Sequence, residues 1–109
     1  MYPVCRNMMD IEKFDGKTVI LIGIYHYGTG DGRGKRFRGS MIRMEDNVDV
    51  VLSYSPPPEE WKKLDGKKVF AIGCIRKSIP EREACFQRLL LPHLTRIKCL
   101  VELEDDIYG

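Results

Sequence analysis

The sequence has no long apolar run. The longest uninterrupted one, Val19–Ile22, continues past Gly23 only to Ile24, which is far short of the roughly 20 residues that a membrane-spanning helix needs. Residues 1–6 also lack the basic start and the apolar stretch of a secretion signal. We therefore expect a cytoplasmic protein without a membrane partner.

Cysteine is scarce and widely spaced. Cys5, Cys74, Cys85 and Cys99 follow one another at intervals of 69, 11 and 14 residues, so none forms the close pair that metal sites commonly use. In a cytoplasmic protein they are expected to be reduced thiols. A metal site that joins three of them to His93 would require the fold to gather distant residues, and we predict no metal.

Catalytic and cofactor motifs are also missing. Glycines alternate with other residues between Gly28 and Gly34, and this spacing does not fit a dinucleotide-binding turn. A P-loop needs Ser or Thr after Gly-Lys, but Gly34 and Lys35 are followed by Arg36. The chain has two histidines, and no pattern pairs either of them with a nucleophile. We therefore predict a protein that is not an enzyme and needs no cofactor.

One strand opening occurs twice in the 109 residues. The segment Phe14–Ile24 recurs 50 residues later as Leu64–Cys74, with six of eleven positions identical. In each copy, Asp-Gly predicts a turn with positive φ, and a short apolar run rich in β-branched residues predicts a buried strand. Gly23 and Gly73 are predicted to mark sharp bends of a small barrel. The residues expected to fill its interior are Ile20, Ile22, Phe70 and Ile72.

Further elements are predicted around this repeat. Alternating apolar and polar residues predict a hairpin over residues 40–54. The stretch Ser55–Leu64 begins with prolines and acids and ends with lysines, which predicts a short helix whose Trp61 and Leu64 close one end of the barrel. A last strand is predicted near Thr95–Glu102. The resulting order is five strands, with the helix between the third and the fourth.

This order resembles the oligonucleotide/oligosaccharide-binding (OB) fold, a five-stranded Greek-key barrel. The resemblance covers about residues 14–102 and rests on the element order and on the two openings Asp15–Lys17 and Asp65–Lys67. The chain is also similar to small bacterial OB-like proteins of unassigned role that carry a Pro-x-Leu-Thr segment, here Pro92–Thr95. The resemblance to the OB fold implies a mainly β protein with one domain over residues 1–109, a short N-terminal lead and an acidic C-terminal tail.

The small net charge of +2 conceals two basic segments. Residues 28–39 carry a charge of +3 and residues 76–92 a charge of +2, so the remainder of the chain carries −3. Both segments are predicted as long loops. In the OB fold, the loops that join the first to the second strand and the fourth to the fifth flank the ligand groove, and we expect the basic segments to do the same.

These segments predict a module that binds single-stranded nucleic acid, because cations interleaved with aromatic rings suit phosphates and stacked bases. The residues expected to bind it are Arg33, Lys35, Arg36, Phe37, Arg38, Tyr27, Arg76, Lys77 and Arg82. The hairpin face expected to point outward has no aromatic platform and comprises Met41, Arg43, Glu45, Asp49, Val51 and Ser53.

Two other interpretations stay open. The chain could be a protein-interaction subunit of a bacterial complex that uses a strand edge or the basic segments against an acidic partner. A pocket for a small molecule inside the barrel is disfavoured, since apolar side chains are expected to fill a five-stranded interior.

Overall fold

The computed structural model describes residues 2–32, 35–53, 58–77 and 92–103, and for residues 28–32 and 35–38 it describes the backbone only. The strands are β1 (Val4–Cys5), β2 (Thr18–Gly32), β3 (Lys35–Arg43), β4 (Asp49–Leu52), β5 (Lys68–Arg76) and β6 (His93–Glu102). The helices are α1 (Met8–Phe14) and α2 (Glu59–Lys62).

Strands β2 to β6 form a closed barrel. Their order is β2-β3-β4-β6-β5, and β5 pairs with β2 to close the sheet. All of these pairings are antiparallel except that between β4 and β6. The predicted mainly β, five-stranded Greek-key OB-like barrel with a short helix between its third and fourth strands is therefore confirmed. Strand β1 and helix α1 precede the barrel and are not among the predicted elements.

The two mid-strand glycines, Gly23 and Gly73, lie where a barrel strand changes its pairing partner or its register. Strand β2 pairs with β5 up to Ile24 and with β3 from Ile24 onward, so Gly23 immediately precedes the change of partner. A Cβ atom on Gly23 would collide with the carbonyl oxygen of Arg43. One on Gly73 would lie 2.7 Å from the carbonyl oxygen of Thr95, beside a register shift between β5 and β6. Both positions need glycine because a neighbouring backbone approaches closely.

The two copies of the repeat are arranged around a local twofold axis. Leu21 and Ala71 occupy the same position in the two copies and pair directly with each other. The Asp-Gly turns confirm their predicted conformation, with φ of 86° at Gly16 and 82° at Gly66. The amide of Gly16 donates to the carbonyl of Ile75 at 2.7 Å, and the amide of Gly66 donates to the carbonyl of Tyr25 at 2.8 Å. These two hydrogen bonds are equivalent, since each partner lies 50 residues from its counterpart.

A short helix leads into each copy of the repeat and places one side chain in the core, which we call the plug of that helix. Ile11 of α1 and Trp61 of α2 stand 50 residues apart, and both belong to the main core. Phe14 and Leu64 are equivalent in the same way, and both pack against that core. Trp61 is thus buried in the main core and Leu64 packs against it, and α1 repeats this arrangement with Ile11 and Phe14. The side chain of Asn7 caps α1 by accepting a hydrogen bond from the amide of Asp10 at 3.0 Å.

The barrel strands β2 and β5 are apolar on both faces. The inward face carries Val19, Leu21, Val69 and Ala71, which belong to the main core. The prediction that Ile20, Ile22, Phe70 and Ile72 fill the interior is therefore wrong. They form a second cluster on the opposite face with Val4 and Leu103. Because side chains alternate along a strand, a continuous apolar run does not show which half of its residues points inward.

Candidate nucleic-acid interface

Strands β2 and β3 extend beyond the barrel as a two-stranded ribbon. They pair through five positions from Gly28 with Gly39 to Gly32 with Lys35, a length of about 17 Å at roughly 3.4 Å per residue. No other described strand pairs with them there. We call this ribbon the basic arm. The predicted loop over residues 28–39 is therefore wrong for the described residues, because pairing that starts in the barrel continues through a segment whose glycines disfavour strands.

The two strands of the basic arm differ in composition. The β2 side holds three glycines with Thr29 and Asp31, whereas the β3 side holds three of the predicted binding cations. Lys35 pairs with Gly32, Arg36 with Asp31, Phe37 with Gly30 and Arg38 with Thr29. The three cationic residues thus belong to one strand of the arm, and one of them, Arg36, is paired with an acidic residue. The predicted binding residue Arg33 lies outside the described residues.

Tyr27 stands at the base of the basic arm. It is half-buried and packs against the main core, and its amide donates to Oδ1 of Asp65 at 3.1 Å. Its neighbour Tyr25 is buried, contacts Ser40 through their hydroxyl groups at 2.8 Å and meets Trp61 edge to face. Burial raises the pKa of Tyr25 above its ordinary value, and the Ser40 hydrogen bond opposes that rise. The core therefore anchors the base of the arm through Tyr25 and the half-buried Tyr27.

The second predicted basic group begins at the end of β5. Arg76 is half-buried and pairs with His93 of β6. Lys77 is exposed, its amide donates to Oδ1 of Asp15 at 2.8 Å, and its ammonium group lies 4.0 Å from the carboxylate of Glu12. The turn after α1 thus fixes the backbone at Lys77. The predicted residue Arg82 lies outside the described residues.

A continuous row of paired residues joins the arm base to Arg76. His26 pairs with Met41, Met41 with Val51, Val51 with His93, and His93 with Arg76. Four steps between strands separate its ends, a path of about 19 Å at roughly 4.8 Å per step. The arm and the end of β5 consequently flank one face of the barrel, formed by β3, β4 and β6.

The middle of this face is closed. Met41, Val51 and His93 are 2%, 5% and 4% exposed, so Met41 and Val51 are buried although they point outward as predicted. They lie on the side of the sheet opposite to Ile42 and Val50, which are in the main core, because neighbours along a strand alternate between faces. Their burial leaves the middle of this row unsuited to stacking bases.

An exposed polar cluster borders the same face. Asp49 accepts hydrogen bonds from Nε of Arg43 at 3.0 Å and from Nη2 at 3.4 Å, and Nε2 of His26 lies 3.3 Å from the same carboxylate. The hydrogen bonds with Asp49 raise the pKa of Arg43 above its ordinary value. Asp49 thereby fixes the orientation of the guanidinium group, which is a contact that sequence reasoning missed. The hairpin register between Arg43 and Asp49 is the signal that could have found it.

The described residues contain no group of three or more metal-binding side chains. Burial, aided by Asp10, raises the pKa of the Cys5 thiol to about 12, so this thiol is protonated at neutral pH and is a poor nucleophile.

Within the described part of the chain, no helix is long and apolar enough to cross a membrane. No family model, curated protein or solved structure matches the chain.

Proposed function

We propose that this protein is a non-catalytic module of the OB superfamily that binds single-stranded nucleic acid with the basic arm and the end of β5. The strand order, with its parallel pairing of β4 and β6, supports the superfamily. The observation that carries the binding proposal is the shared row of residues, which sets the two basic groups on either side of one face.

The proposed contacts follow from the chemistry of the side chains. Arg33, Lys35, Arg36 and Arg38 bind phosphates, and Phe37 and Tyr27 stack on bases. Arg76, Lys77 and Arg82 hold the strand on the other side of the face. Because charge neutralisation dominates such contacts, binding is weakly selective for sequence and sensitive to salt.

Fluorescence anisotropy of a labelled oligonucleotide of about 16 nucleotides tests this proposal. Four phosphate contacts by the arm predict a slope of about −2.8 in log K against log salt concentration, or a roughly 50-fold loss of affinity between about 50 and 200 mM salt. The double variant Arg36→Ala/Arg38→Ala is expected to reduce that slope by about 1.4. The control Lys62→Ala/Lys63→Ala removes the same charge from the exposed surface of α2. Absence of binding at low salt, or equal slopes for the two variants, contradicts the proposal.

An exposed apolar strip favours a protein partner as the second candidate. Val101 is 46% exposed and pairs with the half-buried Phe70, and Ile24 is 41% exposed on the neighbouring strand. Such a strip beside a basic arm suits an acidic protein that also offers apolar side chains. Affinity capture with and without nuclease separates the two candidates, since a partner retained after nuclease treatment favours this one.

A further inference from the structure

A cleft of about 330 Å³ opens beside Gly23 of β2. Its wall is formed by Ile22, Gly23 and Ile24, at the point where β2 leaves β5 and joins β3. Because Gly23 has no side chain, the backbones of β2 and β3 approach closely there. The volume is large enough for a small ligand. The cleft is separate from the basic arm, whose residues do not line it among those described.

Cations from three different segments line this cleft. Arg6 follows β1, Arg43 ends β3, and Lys68 begins β5. Ile24 pairs with Arg43 on one side and with Lys68 on the other, so these two cations flank it across the sheet. Among the described lining residues Glu45 is the one acid. Three cations therefore stand beside one acid among the described lining residues.

The hydrogen bonds around the cleft favour an anion. Two N–H groups of Arg43 are held by Asp49, and the remaining N–H groups of its half-exposed guanidinium side chain are available to a ligand. The carboxylate of Glu45 accepts a hydrogen bond from Nδ2 of Asn7 at 3.3 Å, so the one acid is engaged by the cap of α1. The cleft thus offers an oriented donor group in the Arg43 guanidinium.

The apolar lining restricts the kind of anion. Ile22 and Met44 are buried beneath the cleft, whereas Ile24 is 41% exposed between two cations. We propose that this cleft binds a phosphate ester, with the phosphate held by Arg6, Arg43 and Lys68 and the organic part resting on Ile24. Several terminal oxygens of one phosphate can satisfy cations that arrive from several directions. The ester is either a free nucleotide or the terminal phosphate of an oligonucleotide.

Amide chemical shifts of the ¹⁵N-labelled protein test this assignment. Inorganic phosphate, a nucleoside 5′-monophosphate and oligonucleotides with and without a 5′-phosphate are titrated separately at constant ionic strength. Saturable shifts are expected at Gly23, Ile24 and Asn47, with the monophosphate binding roughly tenfold more tightly than phosphate because it also covers Ile24. A response to both the nucleotide and the 5′-phosphorylated strand supports the shared chemistry, and a response to one of them identifies the source.

Matched variants make the test specific. Lys68→Glu is expected to weaken phosphate binding at least roughly tenfold. Lys17→Glu gives the same change of net charge and is expected to leave phosphate binding unchanged, because this exposed residue precedes β2 and is not among the described residues that line the cleft. Arg43→Gln provides a second cleft variant, and circular dichroism verifies that each variant is folded.

The outcomes also separate this proposal from the proposed function. Arg36→Ala/Arg38→Ala is expected to keep phosphate binding in the cleft even where it reduces oligonucleotide binding. Absence of saturable shifts in the wild-type protein overturns the cleft proposal, as does equal phosphate binding by Lys68→Glu and Lys17→Glu. Neither result bears on binding by the basic arm, which the anisotropy experiment measures.

Discussion

The two copies of the internal repeat begin alike and end differently. In each copy, a short helix delivers a buried plug, an Asp-Gly turn follows, and a strand then runs past the local axis between Leu21 and Ala71. After this shared part, β2 changes its pairing partner from β5 to β3 and continues into the basic arm, whereas β5 stops at Arg76. The shared part gives the barrel two of its strands, and the segments beyond it carry the charges of the basic arm and of the end of β5.

Truncation of the two plugs is expected to have the largest effect. Trp61→Ala should destabilise the protein by about 4 kcal/mol and Ile11→Ala by about 3 kcal/mol, because each removes a buried side chain from the main core. The measurement is urea unfolding followed by circular dichroism. Met9→Ala is the control, since Met9 lies on α1 but is 81% exposed. If Ile11→Ala were no more harmful than Met9→Ala, α1 would not be the structural equivalent of α2.

The glycines of the repeat separate steric crowding from backbone strain. Gly23→Ala and Gly73→Ala should each cost about 3 kcal/mol, because the added Cβ meets a backbone carbonyl group. Gly16→Ala and Gly66→Ala should cost about 1 kcal/mol, since their φ is positive but nothing lies within 4 Å of an added Cβ. Chemical denaturation of all four variants compares these effects. Equal losses at the four positions would contradict the conclusion that close approach of a backbone requires glycine at positions 23 and 73.

The parts of the fold that depend on a few neighbouring residues could be predicted from the sequence. Short sequence patterns predicted the Asp-Gly turns, the order of the barrel strands along the chain and the burial of Trp61. Helix α1 was also accessible, because extending the repeat upstream aligns Ile11 with Trp61 and Asn7 starts a capped turn. The choice of inward residues on β2 and β5 was not accessible, since both faces of these strands are apolar.

The site was predicted less completely than the fold. The cations at Lys35, Arg36 and Arg38 were found by counting charge, but their place on a paired strand depends on hydrogen bonds with β2. The cleft gathers Arg6, Arg43 and Lys68 from distant segments. No pattern within a single segment indicates such a site, because tertiary contacts alone bring its members together.

Removal of the Asp15 and Asp65 carboxylates from the two turns should have the smallest effect on stability. It is also the most direct test of how the two copies of the repeat differ. Oδ1 of Asp15 accepts a hydrogen bond from the amide of Lys77 at 2.8 Å, and Oδ1 of Asp65 accepts one from the amide of Tyr27 at 3.1 Å. Each Asp→Ala substitution removes one such bond and should cost about 1 kcal/mol or less by urea unfolding. The controls Asp15→Asn and Asp65→Asn keep an acceptor oxygen but remove the charge.

The two carboxylates hold different functional segments, so hydrogen exchange can tell their roles apart. Asp65→Ala should speed amide exchange at Tyr27, at the base of the basic arm, and leave Lys77 unchanged, while Asp15→Ala should do the reverse. Each turn would then position the segment that follows the strand of the other copy. This role explains why both openings contain Asp although the segments beyond the two strands differ. Faster exchange at both amides in either variant would instead indicate general loosening of the barrel and would remove the link between the repeat and the basic segments.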